Sequence, residues 1–270
     1  MLRSRVPSIL TALAVGCILS CTKTSDVEGP TGPPGTNGAD GNAHISGTVF
    51  GKVALYDSLG KPVADNSGAT IVFENTSPQI SLTSGADGSY TSPVLSSGYY
   101  NLNISKPGYG PMELVHFQHT GGVNVSEAGL TMLGKKPSSF FDIQNLKVDT
   151  VTDNGFHYMY ITITLAHPQV LPYTWAVVYF RHVPGAGNAH NDYTYRTVFY
   201  QLDPTTLAFS PFDQDLTEYT DQFDNTSDVY MTVAIDNPKL FTYIDSAGTQ
   251  VYPATGNLSN EVKVYNNLKN

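Results

Sequence analysis

From His44 onward, apolar residues fall in short alternating runs separated by Gly, Pro, Asn and Asp, with no long stripe of helical period. Alternation with a period of two sends every second side chain to one face of an extended strand, and the intervening residues supply turns. An all-β fold follows. The runs predict strands over Ile45 to Tyr56, Ala69 to Glu74, Gln79 to Ser84, Tyr99 to Ser105, Met112 to Phe117 and Val123 to Val125. After the break Gly134-Lys-Lys-Pro-Ser-Ser139 they resume over Phe141 to Val148, His157 to Ala166, Thr174 to His182, Tyr195 to Leu202, Leu207 to Phe209, Val229 to Asp236 and Glu261 to Tyr265. Two tandem β-sandwiches are expected, over residues 44–134 and 140–270, and a chain of 270 residues can give each its own core.

The first 43 residues carry no such pattern. Arg3 and Arg5 precede an apolar segment from Val6 to Leu19, interrupted by Pro7, Ser8 and Thr11, and then Ser20-Cys21. The segment falls short of the roughly 20 apolar residues that span a bilayer as a helix, so it has the form of an export signal over residues 1–20. Ile18-Leu19-Ser20-Cys21 resembles the lipobox of bacterial lipoproteins, which implies cleavage before Cys21 and acylation of that residue. Ala14-Val15-Gly16-Cys17 is a second candidate, but cleavage there leaves Ile18 and Leu19 at the mature end. The chain has only these two cysteines, so no disulfide is expected inside the folded part.

Residues 21–43 form a linker in which Gly29 to Ala43 repeats glycine at every third position. The tract is similar to a collagen-like segment, since only glycine fits the crowded axis of a triple helix. Five triplets with three prolines favour a solvated polyproline-II spacer. Extended at about 3.1 Å per residue, it would reach about 45 Å from a membrane. Tracts of this kind after a lipobox resemble those of surface and periplasmic lipoproteins of diderm bacteria, which places the protein on the cell envelope, anchored to the outer membrane through its N-terminal lipid.

Charge narrows the partners. The chain carries 14 Lys+Arg against 23 Asp+Glu, and removing the leader takes two arginines with it. So acidic a surface repels phosphate backbones and anionic lipid, which excludes nucleic acid and leaves acyl chains as the means of attachment.

Five pieces of the first half carry a family resemblance: Gly47 to Val63, Ala69 to Phe73, Ser84-Gly-Ala-Asp-Gly-Ser-Tyr90, Ser97 to Ile104 and Pro107-Gly-Tyr109. In order and spacing they resemble the carboxypeptidase regulatory-like domain, a seven-stranded prealbumin-type sandwich, over about Ile45 to Leu133. Gly60-Lys-Pro and Ala86-Asp-Gly88 then read as turns in which glycine takes positive φ. The resemblance implies a stabilising, docking or spacer module without catalytic residues, in a fold class shared with glycan-binding modules. In the second half, Val229 to Pro238 and Leu258 to Val264 resemble the last strands of a fibronectin type III domain. The register sends Val229, Met231, Val233 and Ile235 inward and places Val229 where that family's corner tyrosine is expected.

No nucleophile elbow, phosphate-binding loop or zinc-protease motif occurs, and no cofactor is implied. His116 and His119 are three apart on a strand, facing opposite sides, which is poor geometry for a shared metal. His182, His190 and Asp192 flank a glycine-rich loop; Asp213, Asp215, Asp221, Asp224 and Asp228 form an acidic stretch without the spacing of a calcium loop. Both read as solvated loops. The aromatics are richer, with 17 Tyr, 12 Phe and one Trp. Trp175, Val177 and Tyr179 share one face of a strand and are expected in the core. Tyr173, Tyr193, Tyr195 and Tyr219 lie in or near loops and are candidate ligand-binding residues. The expected function is therefore a non-catalytic binding or structural module on the cell envelope, facing a glycan or an envelope protein. The alternative is a carbohydrate-binding lipoprotein of a glycan uptake system.

Overall fold

The computed structural model describes residues 45–153, 156–168, 173–185, 193–209 and 228–264, and the protein is all-β. From His44 onward the chain makes one compact unit with two main hydrophobic cores.

The first core lies between a four-stranded and a three-stranded sheet. The strands are β1 (Ser46–Gly47), β2 (Val49–Tyr56), β3 (Thr70–Phe73), β4 (Ile80–Thr83), β5 (Ser89–Thr91), β6 (Leu95–Ser96), β7 (Gly98–Ser105), β8 (Met112–His119) and β9 (Ser126–Gly134). They pair as β4-β3-β7-β8 and β5-β2-β9, with β1 and β6 as a short separate pair. Alternation along β2 buries Val49, Val53 and Leu55; Ile71 and Phe73 of β3 and Leu102 and Ile104 of β7 meet them from the other layer. The two turn glycines take positive φ, 72° at Gly60 and 81° at Gly88. Asp57 fixes the first turn by accepting from the amides of Leu59 and Lys61 at 2.9 and 2.8 Å.

The last strand of this sandwich departs from the expected position. Val123 is fully exposed, and the strand runs instead from Ser126 to Gly134, parallel to β2. Being at a sheet edge, it exposes Leu130 and buries only its end, at Leu133 and Gly134, so its apolar residues do not alternate cleanly. A shift in register between Phe50 and Gly51 leaves Ala128 as the extra residue on β9, and Gly129 beside it, paired with Gly51, has a φ of 76°.

A short 3-10 turn over Ser139–Phe141 leads into the second sandwich. Its strands are β10 (Ile143–Asp153), β11 (Phe156–Leu165), β12 (Tyr173–Arg181), β13 (Tyr193–Gln201), β14 (Thr206–Phe209), β15 (Val229–Asp236), β16 (Tyr243–Ile244), β17 (Gln250–Val251), β18 (Thr255–Leu258) and β19 (Val262–Val264). The order is β10-β11-β14-β13-β12-β15-β18, with β19 also on β15 and β16 paired with β17 apart. First, second and fifth strands thus form one layer, and third and sixth strands the centre of the other, as in an immunoglobulin-like sandwich. The layers enclose Leu146, Ile161 and Ile163 on one side and Val178, Phe180, Met231, Val233 and Ile235 on the other. Val229, Met231, Val233 and Ile235 do point inward, as their alternation predicts. Asn260 closes the open side: its side chain accepts from the Leu146 amide at 2.6 Å and donates to the Leu146 carbonyl at 3.3 Å, as a paired strand would.

Candidate functional site

Strand β15 ends at Ile235-Asp-Asn-Pro238, and the segment from Asn237 to Ala254 turns toward the first sandwich. Asn237 is fully buried. Its Nδ2 donates to the carbonyls of Asp57, at 2.8 Å, and Lys135, at 3.0 Å, both in the first half of the chain. Further along, the Lys239 ammonium sits 3.4 Å from the ring centroid of Tyr56, and the Phe241 ring is 5.5 Å from the same centroid. Gly134 makes this approach possible, because a Cβ there would stand 2.4 Å from the Phe241 ring. Gly110 does the same for the backbone of Pro253, also at 2.4 Å from a built Cβ. The two sandwiches are therefore joined by buried polar bonds and by ring packing, not by a bare tether.

Beside this junction lies a cleft of about 300 Å³, bordered by Leu59, Pro137, Phe141, Tyr173, Trp175 and Asp236. It is at the small end of the range for ligand sites. Registry explains its wall. Ala176, Val178 and Phe180 face the second core, so Tyr173 and Trp175 fall on the opposite face of β12. On that face Arg196 of β13 places its guanidinium carbon 4.0 Å from the Trp175 ring centroid. The guanidinium is held tightly: Nε donates to Asp236 Oδ2 at 2.5 Å, and Nη2 donates to the carbonyls of Asn237 and Pro238 at 2.9 and 3.1 Å.

Asp236 is 2% exposed, and its Oδ1 is buried without a hydrogen-bond partner among the described residues. Burial raises the carboxyl's pKa above the usual carboxylate range, and the Arg196 contact works against that rise. A buried carboxylate oxygen with no donor costs desolvation free energy. The wall thus offers two aromatic side chains beside an ion pair that is shut off from solvent.

Of the tyrosines singled out in the sequence, the described ones, Tyr173, Tyr193 and Tyr195, do not gather. Tyr173 borders the cleft and is 51% exposed. Tyr193 pairs with Phe180 and Tyr195 with Val178, at the far end of the ladder on the core-facing side, and the Tyr193 ring lies 5.9 Å from that of Phe180. Tyr219 and Cys21 lie outside the described residues, as do His190, Asp192, Asp213, Asp215, Asp221 and Asp224. Asp228 pairs with Lys263 at 2.7 Å. His119 is buried, with Nδ1 2.8 Å from Ser126 Oγ and Nε2 3.2 Å from the Leu95 carbonyl, while His116 is exposed. No group of three metal-ligating side chains occurs among the described residues.

Trp175 is corrected by the structure: it is half-buried on the cleft wall, not in either main core, while Val177 and Tyr179 of the same face pack into a small satellite cluster with Ala234. Arg196 and Asp236 were not foreseen. The available signal was charge at positions where alternation predicts the outer face, Arg196 between Tyr195 and Thr197 and Asp236 after Ile235.

No family model matches the chain, and no curated protein matches it. Among solved structures, a DUF3823 family protein from Parabacteroides merdae is similar at 16% identity and TM-score 0.27, over 82% of this chain and 99% of that one. A provisionally assigned carbohydrate binding protein from Bacteroides uniformis is similar at 14% identity and TM-score 0.28, over 80% and 98%. The FN1-FN3 domains of chicken CNTN1 are similar at 7% identity and TM-score 0.22, over 74% and 56%. At these identities and scores the likenesses carry no argument about site or ligand.

Proposed function

We propose that this chain is an exported, lipid-anchored, non-catalytic binding module of the cell envelope, and that the cleft beside the junction is its binding site. One observation carries the reading: Tyr173 and Trp175 are presented on a rigid strand, beside the Arg196–Asp236 ion pair, in a concavity bordered from both halves of the chain. Sites built this way, mostly apolar with few fixed polar groups, are typical of small-ligand binding. The support for the anchor is the sequence alone, through the leader and Cys21.

The two parts are tested separately. Metabolic labelling with a palmitate analogue should mark the protein and fail to mark Cys21→Ala; equal labelling of the two removes Cys21 as the acylated residue. Thermal-shift screening of the whole chain against sugars, amino acids, nucleosides and short peptides should give hits that Leu59→Trp abolishes. Leu59 is 48% exposed at the rim, so the larger ring blocks the cleft without entering a core. Hits that survive Leu59→Trp would place binding elsewhere.

A further inference from the structure

We infer that the pole of the first sandwich away from the junction rests on a lipid bilayer, presenting Ile45, Val94, Val123 and Val125 to the interface. This depends on the reading of Cys21 as the acylated residue only for how the chain is brought to the surface. Strands β2 and β9 start at this pole and run to the junction, at Tyr56 and Gly134. Three segments meet there: the approach to β1, the turn before β6 and the loop after β8. The Ile45 carbonyl accepts from the Ser97 amide at 2.7 Å, and the Ser46 carbonyl accepts from the Gly122 amide at 3.1 Å. The buried His119 ring ties them together, with the Leu95 carbonyl and the Ser126 hydroxyl as its partners. On that base Val123 is fully exposed, Val94 is 69% exposed, Ile45 57% and Val125 51%. Tyr99 follows one residue beyond the Gly98–His119 pair and is also exposed, an amphipathic ring suited to the headgroup level.

Charge selects the partner. In a chain with 23 Asp+Glu and 14 Lys+Arg, residues 45–51, 88–105 and 114–126 contain none of the four. An acidic chain is repelled by anionic lipid wherever its carboxylates face it, and these segments supply none. Glu127 opens the charged surface only after β9 has begun. The chain also arrives at this pole: Ile45 is the first described residue, and residues 22–44 alone separate it from Cys21. Acylation makes contact between pole and bilayer an intramolecular event, so a few aliphatic side chains suffice where they would not hold a free protein.

The chain cut before Cys21 keeps one native cysteine, which is acylated, so Asn124→Cys in the exposed loop takes a single environment-sensitive dye. Val183→Cys, past the end of β12 that lies away from the junction, is the reference position. Acylated protein is reconstituted in vesicles of phosphatidylethanolamine and phosphatidylglycerol that carry a spin-labelled acyl chain. The expected result is blue-shifted emission and quenching at position 124, persisting in about 0.5 M salt, and neither at position 183. Val94→Asp with Val123→Asp should lower that quenching roughly ten-fold or more, since each carboxylate would have to shed water to enter the interface. Both valines are exposed, so retained circular dichroism separates lost contact from unfolding. Equal emission at the two positions, or quenching that salt abolishes or the double substitution leaves untouched, overturns the inference. So does a blue shift that follows protein concentration without lipid, the signature of a second copy on this face. Mass spectrometry of the parent tests the anchor independently. If Cys21 carries no acyl chain, Cys17→Ser and Cys21→Ser are introduced and the same vesicles are added to the full chain. Quenching at position 124 then keeps the surface and removes only the anchor, whereas silence removes both.

Discussion

The Tyr90 phenol is buried over Gly51 in the first sandwich, so close that a Cβ at Gly51 would stand 2.3 Å from its oxygen. That hydroxyl has no hydrogen-bond partner among the described residues. Its desolvation is uncompensated, a debit of about 1–3 kcal/mol, so Tyr90→Phe should raise the melting temperature at neutral pH. Burial also pushes the Tyr90 phenol up to about 12, as it does that of Tyr179 in the second sandwich. A folded value above the ordinary value near 10 means that the folded state holds its proton more tightly than the unfolded chain. The fold is therefore insensitive to these phenols below pH 10 and loses stability through them as pH rises from there through about 12. Melting curves recorded across that interval should fall steeply, and the fall should be shallower in Tyr90→Phe. A flat profile would mean that neither phenol is as dry as the structure makes it.

Among the elements, the turn before β5 is the most sharply specified. Gly88 has φ of 81°, and a Cβ on it would lie 2.0 Å from the Val53 carbonyl oxygen, so a side chain there displaces β2. The Gly88 carbonyl meanwhile accepts from the Val53 amide at 2.9 Å. Gly88→Ala should therefore destabilise by more than the 1–2 kcal/mol of left-handed strain alone, read as a lowered midpoint in urea. Leu130→Lys on the exposed edge of β9 should stay within about 0.5 kcal/mol of the parent. This contrast shows what the sequence makes legible. Ala86-Asp-Gly88 announces a turn through local chemistry, and Val229 to Ile235 announces an inward face through alternation. Strand β9 announces neither, because an edge strand buries too few residues to carry a period, and its parallel pairing with β2 is non-local. Trp175 was misplaced for a related reason. Alternation says which residues share a face, but both faces of β12 are covered along most of its length, and only the junction leaves Trp175 partly open.

For the whole molecule, the question is whether two cores behave as one folded unit. Asn237 is the test point, since its side chain satisfies two backbone carbonyls across the junction, and the Arg196 guanidinium holds the next turn of chain. Asn237→Ala takes a donor from the Asp57 carbonyl, which keeps the Gly60 amide at 3.0 Å, and from the Lys135 carbonyl, with a loss of about 1–3 kcal/mol for a group left without a partner. For a body of this size each kcal/mol lowers the midpoint by roughly 2–4 °C. The loss is local to the junction, so it should weaken the coupling between sandwiches more than either core. Scanning calorimetry of the parent should show one cooperative transition, and Asn237→Ala should broaden it or divide it in two. The same variant should weaken any ligand of the cleft, because Asn237 sets the path from Asp236 to Pro238 along the cleft wall. Two separate transitions in the parent would mean that the sandwiches melt independently and that the junction positions the cleft without sharing stability between cores.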